Sequence, residues 1–220
     1  MGAYGPHRYG VLFYTLLFTL GAAPLLAALH FTTDLLQILL AFSLLAALLG
    51  VPGHRWRILL MLLAAVAVGL RAAPSWAIAP GLSMGALVVS AVIALLAAAS
   101  AIRFVMRTKV VDAEHVYAAL SVYLLAGLCF GVVHWAIENA WPGSFGEPGG
   151  AGSGFSMSTA TYYSFVTLAT LGYGDVVPKS DMARGVAVLE AVGGQLYVAV
   201  MIARLVGAQL QTRGGSPPQA

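Results

Sequence analysis

The sequence predicts an all-α membrane protein: six transmembrane helices, with a short helix and an extended re-entrant segment folded between the fifth and the sixth. Three observations carry this. Hydrophobic residues make up 60% of the 220-residue chain and charged residues only 9%, with a mean hydropathy of +0.88, far from the composition of a soluble domain. Six apolar stretches approach the ~20 residues that a helix needs to cross ~30 Å of hydrocarbon. Between the last two lies "TLATLGYGDVVP", Thr167 to Pro178, glycine-punctuated backbone in a place where unpaired peptide groups are expensive.

The six stretches are Gly10 to Leu29, Leu35 to Val51, Ile58 to Ala73, Leu82 to Ile102, Val116 to Ile137 and Ala183 to Leu210. The first resembles a signal peptide superficially, with His7 and Arg8 in front and Gly21-Ala22-Ala23 inside it. Its apolar run continues through Pro24 to Leu29, which favours an uncleaved spanning helix. The second and third are short and leave little room for tilt. An even number of spans places both termini on one side, and Arg8, Arg55, Arg57, Arg103, Arg107, Lys109 and Arg213 all fall on that side, which makes it the cytoplasm. Arg71, Lys179 and Arg184 lie toward the opposite face, and Arg204 within the inner half of the last helix. The net charge of +3 is therefore an orientation signal and not a stripe for nucleic acid. Cys129 has no cysteine to pair with and reads as a small buried hydrophobe.

The insert from Glu138 to Asp181 opens with "WPGSFGEPGGAGSG", a flexible external loop by composition. It continues with "SMSTATYYSFVTLA", where Ser156 and Ser158 are competent caps and no Gly or Pro intervenes, predicting a short helix that ends near Ala169. Such a helix is too short to cross the bilayer. Followed by extended backbone that returns to the same surface, it forms a re-entrant loop, tolerated at membrane depth only inside protein or along a watery cavity.

"TLGYGD", placed after a short helix and before the last span, resembles the selectivity filter of potassium channels, whose family pattern is T-V-G-Y-G. In such a filter the carbonyls of four loops replace the hydration shell of K⁺, so successive carbonyls must face one axis. An ordinary strand alternates them, and Gly172 and Gly174 supply the positive φ that turns them to one side. The resemblance implies an ion-binding segment from Thr170 through Leu171, Gly172 and Tyr173 to Gly174. The first four residues would hold K⁺ through their carbonyls, and the Thr170 hydroxyl would add oxygens at the cavity end. It also implies a Tyr173 side chain bracing the ring, and Tyr162 and Tyr163 as the aromatics around the filter, with either hydroxyl available to Asp175. The short helix would direct its partially negative C-terminal end at the cavity. Leu171 stands where the family commonly has valine, and Val166 where some relatives carry a glutamate that bonds the aspartate. In the last helix Gly194 falls at the family's hinge position, with Gly193 beside it. Gln195, Val198, Ile202 and Val206 share the face assigned to the cavity. The alternative reading of the two glycines is close helix packing.

A single filter per chain contributes a quarter of a ring, so the resemblance implies a homotetramer in a lipid bilayer, with K⁺ ions and no organic cofactor. Residues 112–210 would form the pore domain, 1–111 a four-helix domain like a degenerate voltage sensor, and 211–220 a disordered cytoplasmic tail. Voltage sensors space arginines along their fourth helix. Here Arg103 and Arg107 sit only at its cytoplasmic end, and Asp34 is an interfacial charge, so voltage dependence is expected to be weak or absent. The expected location is the plasma membrane, of prokaryotic type.

Glu190 is the one carboxylate within a span, a functional candidate by position. It is expected to face the pore helix and to back the filter, partly replacing the glutamate missing at Val166, or else to bond a hydroxyl such as Ser164 or Thr167. His134 and Glu138 share a face of the fifth helix by i, i+4 spacing and read as an interfacial anchor, with external proton sensing as the rival reading. Other functions fit less well. An intramembrane protease would need glycine at Ala151 in "GAGSGF", and a secondary transporter would show broken helices in both halves. A non-conducting channel-like subunit is the remaining alternative.

Overall fold

The computed structural model describes residues 8–28, 48, 54–72, 80–107, 112–146 and 154–214. Its helices are α1 (Arg8–Ala28), α2 (His54–Ala72), α3 (Pro80–Arg107), α4 (Ala113–Ala140), α5 (Met157–Leu168) and α6 (Asp181–Gly214). Two short strands, β1 (Phe145–Gly146) and β2 (Val177–Pro178), pair antiparallel. Among the described residues, helices lie on five of the six predicted stretches. The stretch Leu35 to Val51, apart from the helical Leu48, lies outside the described residues, as do Asp34, residues 147–153 and the end of the chain from 215. Among the described residues, Ala113–Ala140 and the Asp181–Ala208 portion of α6 are long and apolar enough to cross a membrane. The last helix overruns its expected end: residues 211–214, assigned above to a disordered tail, are helical. Gln211, Thr212 and Arg213 contain no helix breaker, and the helix ends on Gly214.

The chain divides into two compact units, residues 1–125 with 208–220, and residues 126–207. In the first, α2 and α3 pack around buried Leu48, Ala64 and Ile93, with Leu60, Met61 and Val89 alongside. The start of α1 is held by Glu114, whose carboxylate accepts from the backbone N–H groups of Tyr9 at 3.0 Å and Gly10 at 3.4 Å. A carboxylate there satisfies donors that no helix can pair internally and complements the positive end of the helix dipole. Phe104 is stacked between Tyr9 and His115, with ring centroids 4.8 and 4.3 Å away, and the Arg8 guanidinium lies 5.0 Å from its centroid.

The second unit seats the short helix. Ser156 caps α5, accepting from the backbone N–H of Thr159 at 3.1 Å, as the serine pattern predicts. α5 then lies against α4 at two glycines. A Cβ on Gly127 would meet the Phe165 ring at 2.6 Å, and one on Gly131 would meet the Thr161 Cα at 2.9 Å. The pair reads G-x-x-x-G in the sequence, the spacing that lets helix backbones approach closely in membranes. Beyond α4, Glu138 accepts from the backbone N–H groups of Gly143 at 2.8 Å and Phe145 at 2.9 Å. These bonds turn the chain into β1, which clips onto β2. Lys179 N donates to Ser144 O at 2.7 Å, and Ile137, Phe145, Tyr163 and Ala183 form a core under the clip. The backbone that leaves α5 is thus pinned before α6 begins.

Candidate functional site

The segment from Thr170 to Asp175 leaves the C-terminus of α5 in a conformation that its residue types require. Thr170, Gly172 and Gly174 have φ of 58°, 55° and 77°, whereas Leu171 and Tyr173 between them do not have positive φ. In a strand of uniform handedness successive carbonyls point to opposite sides. Alternating left- and right-handed residues turn each peptide back, so that the carbonyls fall on one side. Glycine adopts the left-handed region freely, while for Thr170 it costs about 1–2 kcal/mol. No atom lies within 4 Å of where a Cβ would stand on Gly172 or Gly174, so the demand for glycine at these positions is conformational and not steric.

The base of the segment is hooked onto α5. Leu171 N donates to Val166 O at 2.9 Å, Thr170 N to Thr167 O at 2.9 Å, and Ala169 N to Phe165 O at 3.0 Å. These bonds occupy carbonyls that the end of a helix leaves without partners. At the other end the Tyr162 hydroxyl donates to Asp175 Oδ2 at 2.7 Å, and Val176 N donates to Oδ1 at 3.0 Å. The sequence left open which tyrosine reaches Asp175, and Tyr162 is the one. Tyr163 is buried instead, its ring edge-on to His134 and Phe145 at 4.9 and 5.3 Å. Two successive helical residues point about 100° apart, so only one of the two tyrosines can face the loop.

The Tyr162 bond, aided by the Val176 N–H and opposed by slight burial, holds the Asp175 carboxyl below its ordinary range. A depressed carboxylate contributes its stabilisation above the ordinary carboxylate range and loses it as pH falls through the depressed value. Tyr162→Phe removes the main cause, so acidification should destabilise the protein at a higher pH than in the wild type. Melting temperature measured against pH for both proteins tests this, and superimposable curves would show that the bond has no such role.

Behind the segment lies a buried polar group. Glu190 of α6, Ser164 of α5 and His134 of α4 are all fully buried. His134 Nε2 lies 2.7 Å from Glu190 Oε2, and Ser164 Oγ is bonded to Glu190 Oε1. Glu190 therefore does reach α5, through one of the two hydroxyls named above. The His134–Glu138 reading is corrected. His134 points inward to a partner 56 residues away, and Glu138 caps the following turn. Helical spacing identified a shared face but carried no information about a partner on a distant helix.

The paired glycines of α6 differ from each other. Gly194 is buried, and a Cβ there would lie 3.0 Å from Leu168 O and 2.7 Å from Leu168 Cδ1. Gly193 is exposed, with no atom within 4 Å of its Cβ position. α6 runs unbroken through both, so at Gly194 the packing reading matches the contact seen. On the face assigned to the cavity, Gln195, Ile202 and Val206 are exposed in the single chain and Val198 is half-buried.

Residues 118–209 match the family described as Ion channel. Over 82 residues the chain is 35% identical to the inward rectifier potassium channel Kirbac3.1 of Paramagnetospirillum magnetotacticum, covering 36% of this chain and 24% of that protein. Over 84 residues it is 33% identical to two pore potassium channel c of Oryza sativa subsp. japonica, covering 38% of this chain and 17% of that protein. The chain thus spans a quarter or less of the length of these relatives. No solved structure matches it. The matched residues contain α5, the glycine-alternating segment and α6 up to Gln209, and over this stretch the chain is similar to ion-channel domains and, in the relatives named, to potassium channels.

Proposed function

We propose that this protein is a potassium-selective channel that conducts K⁺ passively as a homotetramer. One observation carries the reading: left-handed backbone at Thr170, Gly172 and Gly174 alternating with Leu171 and Tyr173. Four copies around an axis would present stacked rings of carbonyls from Thr170, Leu171, Gly172 and Tyr173, each replacing water that the ion sheds. The α5 dipole, negative at its C-terminus, would favour a cation in the cavity below. Fourfold assembly is supported by the exposure of Leu171, Tyr173 and Leu196 in the single chain, which four protomers would cover. The four spans that the sequence predicts before the pore domain, with most of the arginines on one side of the predicted topology, support a plasma-membrane protein with cytoplasmic termini and little voltage dependence.

The test is reconstitution of the full chain into a planar bilayer under a K⁺/Na⁺ gradient. The reversal potential should approach that of K⁺, and external barium should block the current. A reversal potential near zero overturns the selectivity, and absence of current from a folded tetramer supports the non-conducting subunit instead.

A further inference from the structure

The buried polar group behind the filter segment has a proton count that closes in only one way. Ser164 Oγ contacts two groups, Glu190 Oε1 and the Gly127 carbonyl oxygen at 2.7 Å. A serine hydroxyl has one proton, a backbone carbonyl has none, and an ionised carboxylate has none. With Glu190 ionised, one of these contacts would set lone pairs against each other inside a fully buried site. A carboxylic acid resolves this. Oε1–H donates to Ser164 Oγ, Ser164 Oγ–H donates to Gly127 O, and His134 Nε2–H donates to Oε2.

His134 supports the same assignment. Its Nδ1 is buried and has no hydrogen-bond partner among the described residues. As a neutral imidazole protonated on Nε2, the ring leaves only a lone pair there. As an imidazolium it would bury an unpaired N–H, the more costly arrangement for a charged donor. The neutral form also leaves no ion pair in a place where desolvating two charges costs several kcal/mol. Gly127 completes the arrangement, because without a side chain it lets Phe165 lie against α4 and brings Ser164 within reach of the carbonyl. The rings of Tyr163 and Phe145 close the site around His134, at 4.9 and 5.4 Å.

We propose that Glu190 carries a resident proton and acts as a positioning residue: a neutral relay from His134 through Glu190 and Ser164 to the Gly127 carbonyl ties α5 to both long helices and so fixes the filter backbone that α5 leads into. The effect on selectivity rests on the channel reading above, whereas the proton assignment does not. The relay is directional and uncharged, so it orients α5 without placing a fixed charge behind the ion path.

The experiment compares wild type, Glu190→Gln, Glu190→Ala and Ser164→Ala, each reconstituted as the full chain in liposomes. Infrared spectroscopy at neutral pH should show the carbonyl stretch of a protonated carboxylic acid in the wild type, shifted in D₂O and absent from Glu190→Gln. Glu190→Ala and Ser164→Ala should each lower the K⁺/Na⁺ permeability ratio by about tenfold or more, since each removes two buried hydrogen bonds and the loss of one supplies about tenfold. Glu190→Gln should restore it, since its amide donates to Ser164 and its carbonyl accepts from His134. A wild type without the carboxylic acid band overturns the proposal. So does a Glu190→Gln as impaired as Glu190→Ala, the result expected of an ion pair. If the alanine variants fail to fold, the band and the Glu190→Gln permeability still decide. If the wild type conducts without selectivity, the channel reading falls while the band and the melting temperature of Glu190→Gln continue to test the relay.

Discussion

Gly172→Ala should abolish K⁺-selective current while the protein assembles as the wild type does. Gly172 has φ of +55°, and an alanine in that region costs about 1–2 kcal/mol. No atom lies within 4 Å of the new Cβ, so the strain cannot be relieved by repacking a neighbour. It is relieved only by turning the backbone toward negative φ. That movement rotates a peptide plane and takes its carbonyl off the common side, which removes one ring of oxygens from the proposed stack. In the proposed tetramer the strain is repeated four times, about 4–8 kcal/mol in all. Flipped carbonyls leave K⁺ short of ligands, and the discrimination against Na⁺ disappears. The measurement is the reversal potential under a K⁺/Na⁺ gradient, with the oligomeric state followed on the same sample. Gly185→Ala is the control. Gly185 lies within α6 with open space around its Cβ position, where alanine favours the helix by about 0.5–1 kcal/mol. A Gly172→Ala channel that still reverses near the K⁺ potential would remove the geometric basis of the proposed function.

The local parts of this site were legible in the sequence because they depend on residue type and short spacing. Ser156 as the cap of α5, the end of that helix at Leu168 and the positive φ of Gly172 and Gly174 follow from the side chains at those positions. The left-handed Thr170 does not, since nothing in a threonine announces it. It results from the alternation on either side together with the bond from Leu171 N to Val166 O. What the sequence misjudged was long-range. His134 was assigned a neighbour on its own helix because four residues make one turn, yet its partner Glu190 is on α6. The signal that could have been used was Gly127 and Gly131, whose spacing marks the stripe of α4 against which another helix lies. His134 follows that stripe closely enough to have been placed inside, where a titratable group needs a partner. The tyrosine that meets Asp175 was undecidable from types alone, because both candidates carry the same hydroxyl and only the rotation of α5 separates them.

Gly194→Ala and Gly193→Ala should have opposite effects on stability, although the residues are adjacent and identical. If the pair served only as a flexible hinge, either substitution would stiffen α6 by the same amount, and both would slow opening in the same way. The contacts predict otherwise. At position 194 the new methyl group would lie 3.0 Å from the Leu168 backbone oxygen, closer than ordinary van der Waals contact, and the Leu168 side chain at 2.7 Å would have to swing aside. Overpacking of this kind costs about 1–3 kcal/mol. It falls on the last helical residue of α5, so α5 must shift and carry with it the segment that begins at Ala169. Gly194→Ala is therefore expected to lower the melting temperature of the assembled protein and to reduce the K⁺/Na⁺ permeability ratio. At position 193 the methyl group meets nothing within 4 Å, and replacing a helical glycine gains about 0.5–1 kcal/mol. Gly193→Ala should thus raise the melting temperature and leave the permeability ratio intact. Thermal unfolding followed by circular dichroism, together with reversal potentials on the same preparations, separates the two readings. Equal shifts of the same sign would return both glycines to the hinge. Opposite shifts would mean that α6 presents a bare backbone at Gly194 because α5 ends against it, and that the position of the proposed filter is set by how closely those two helices can approach.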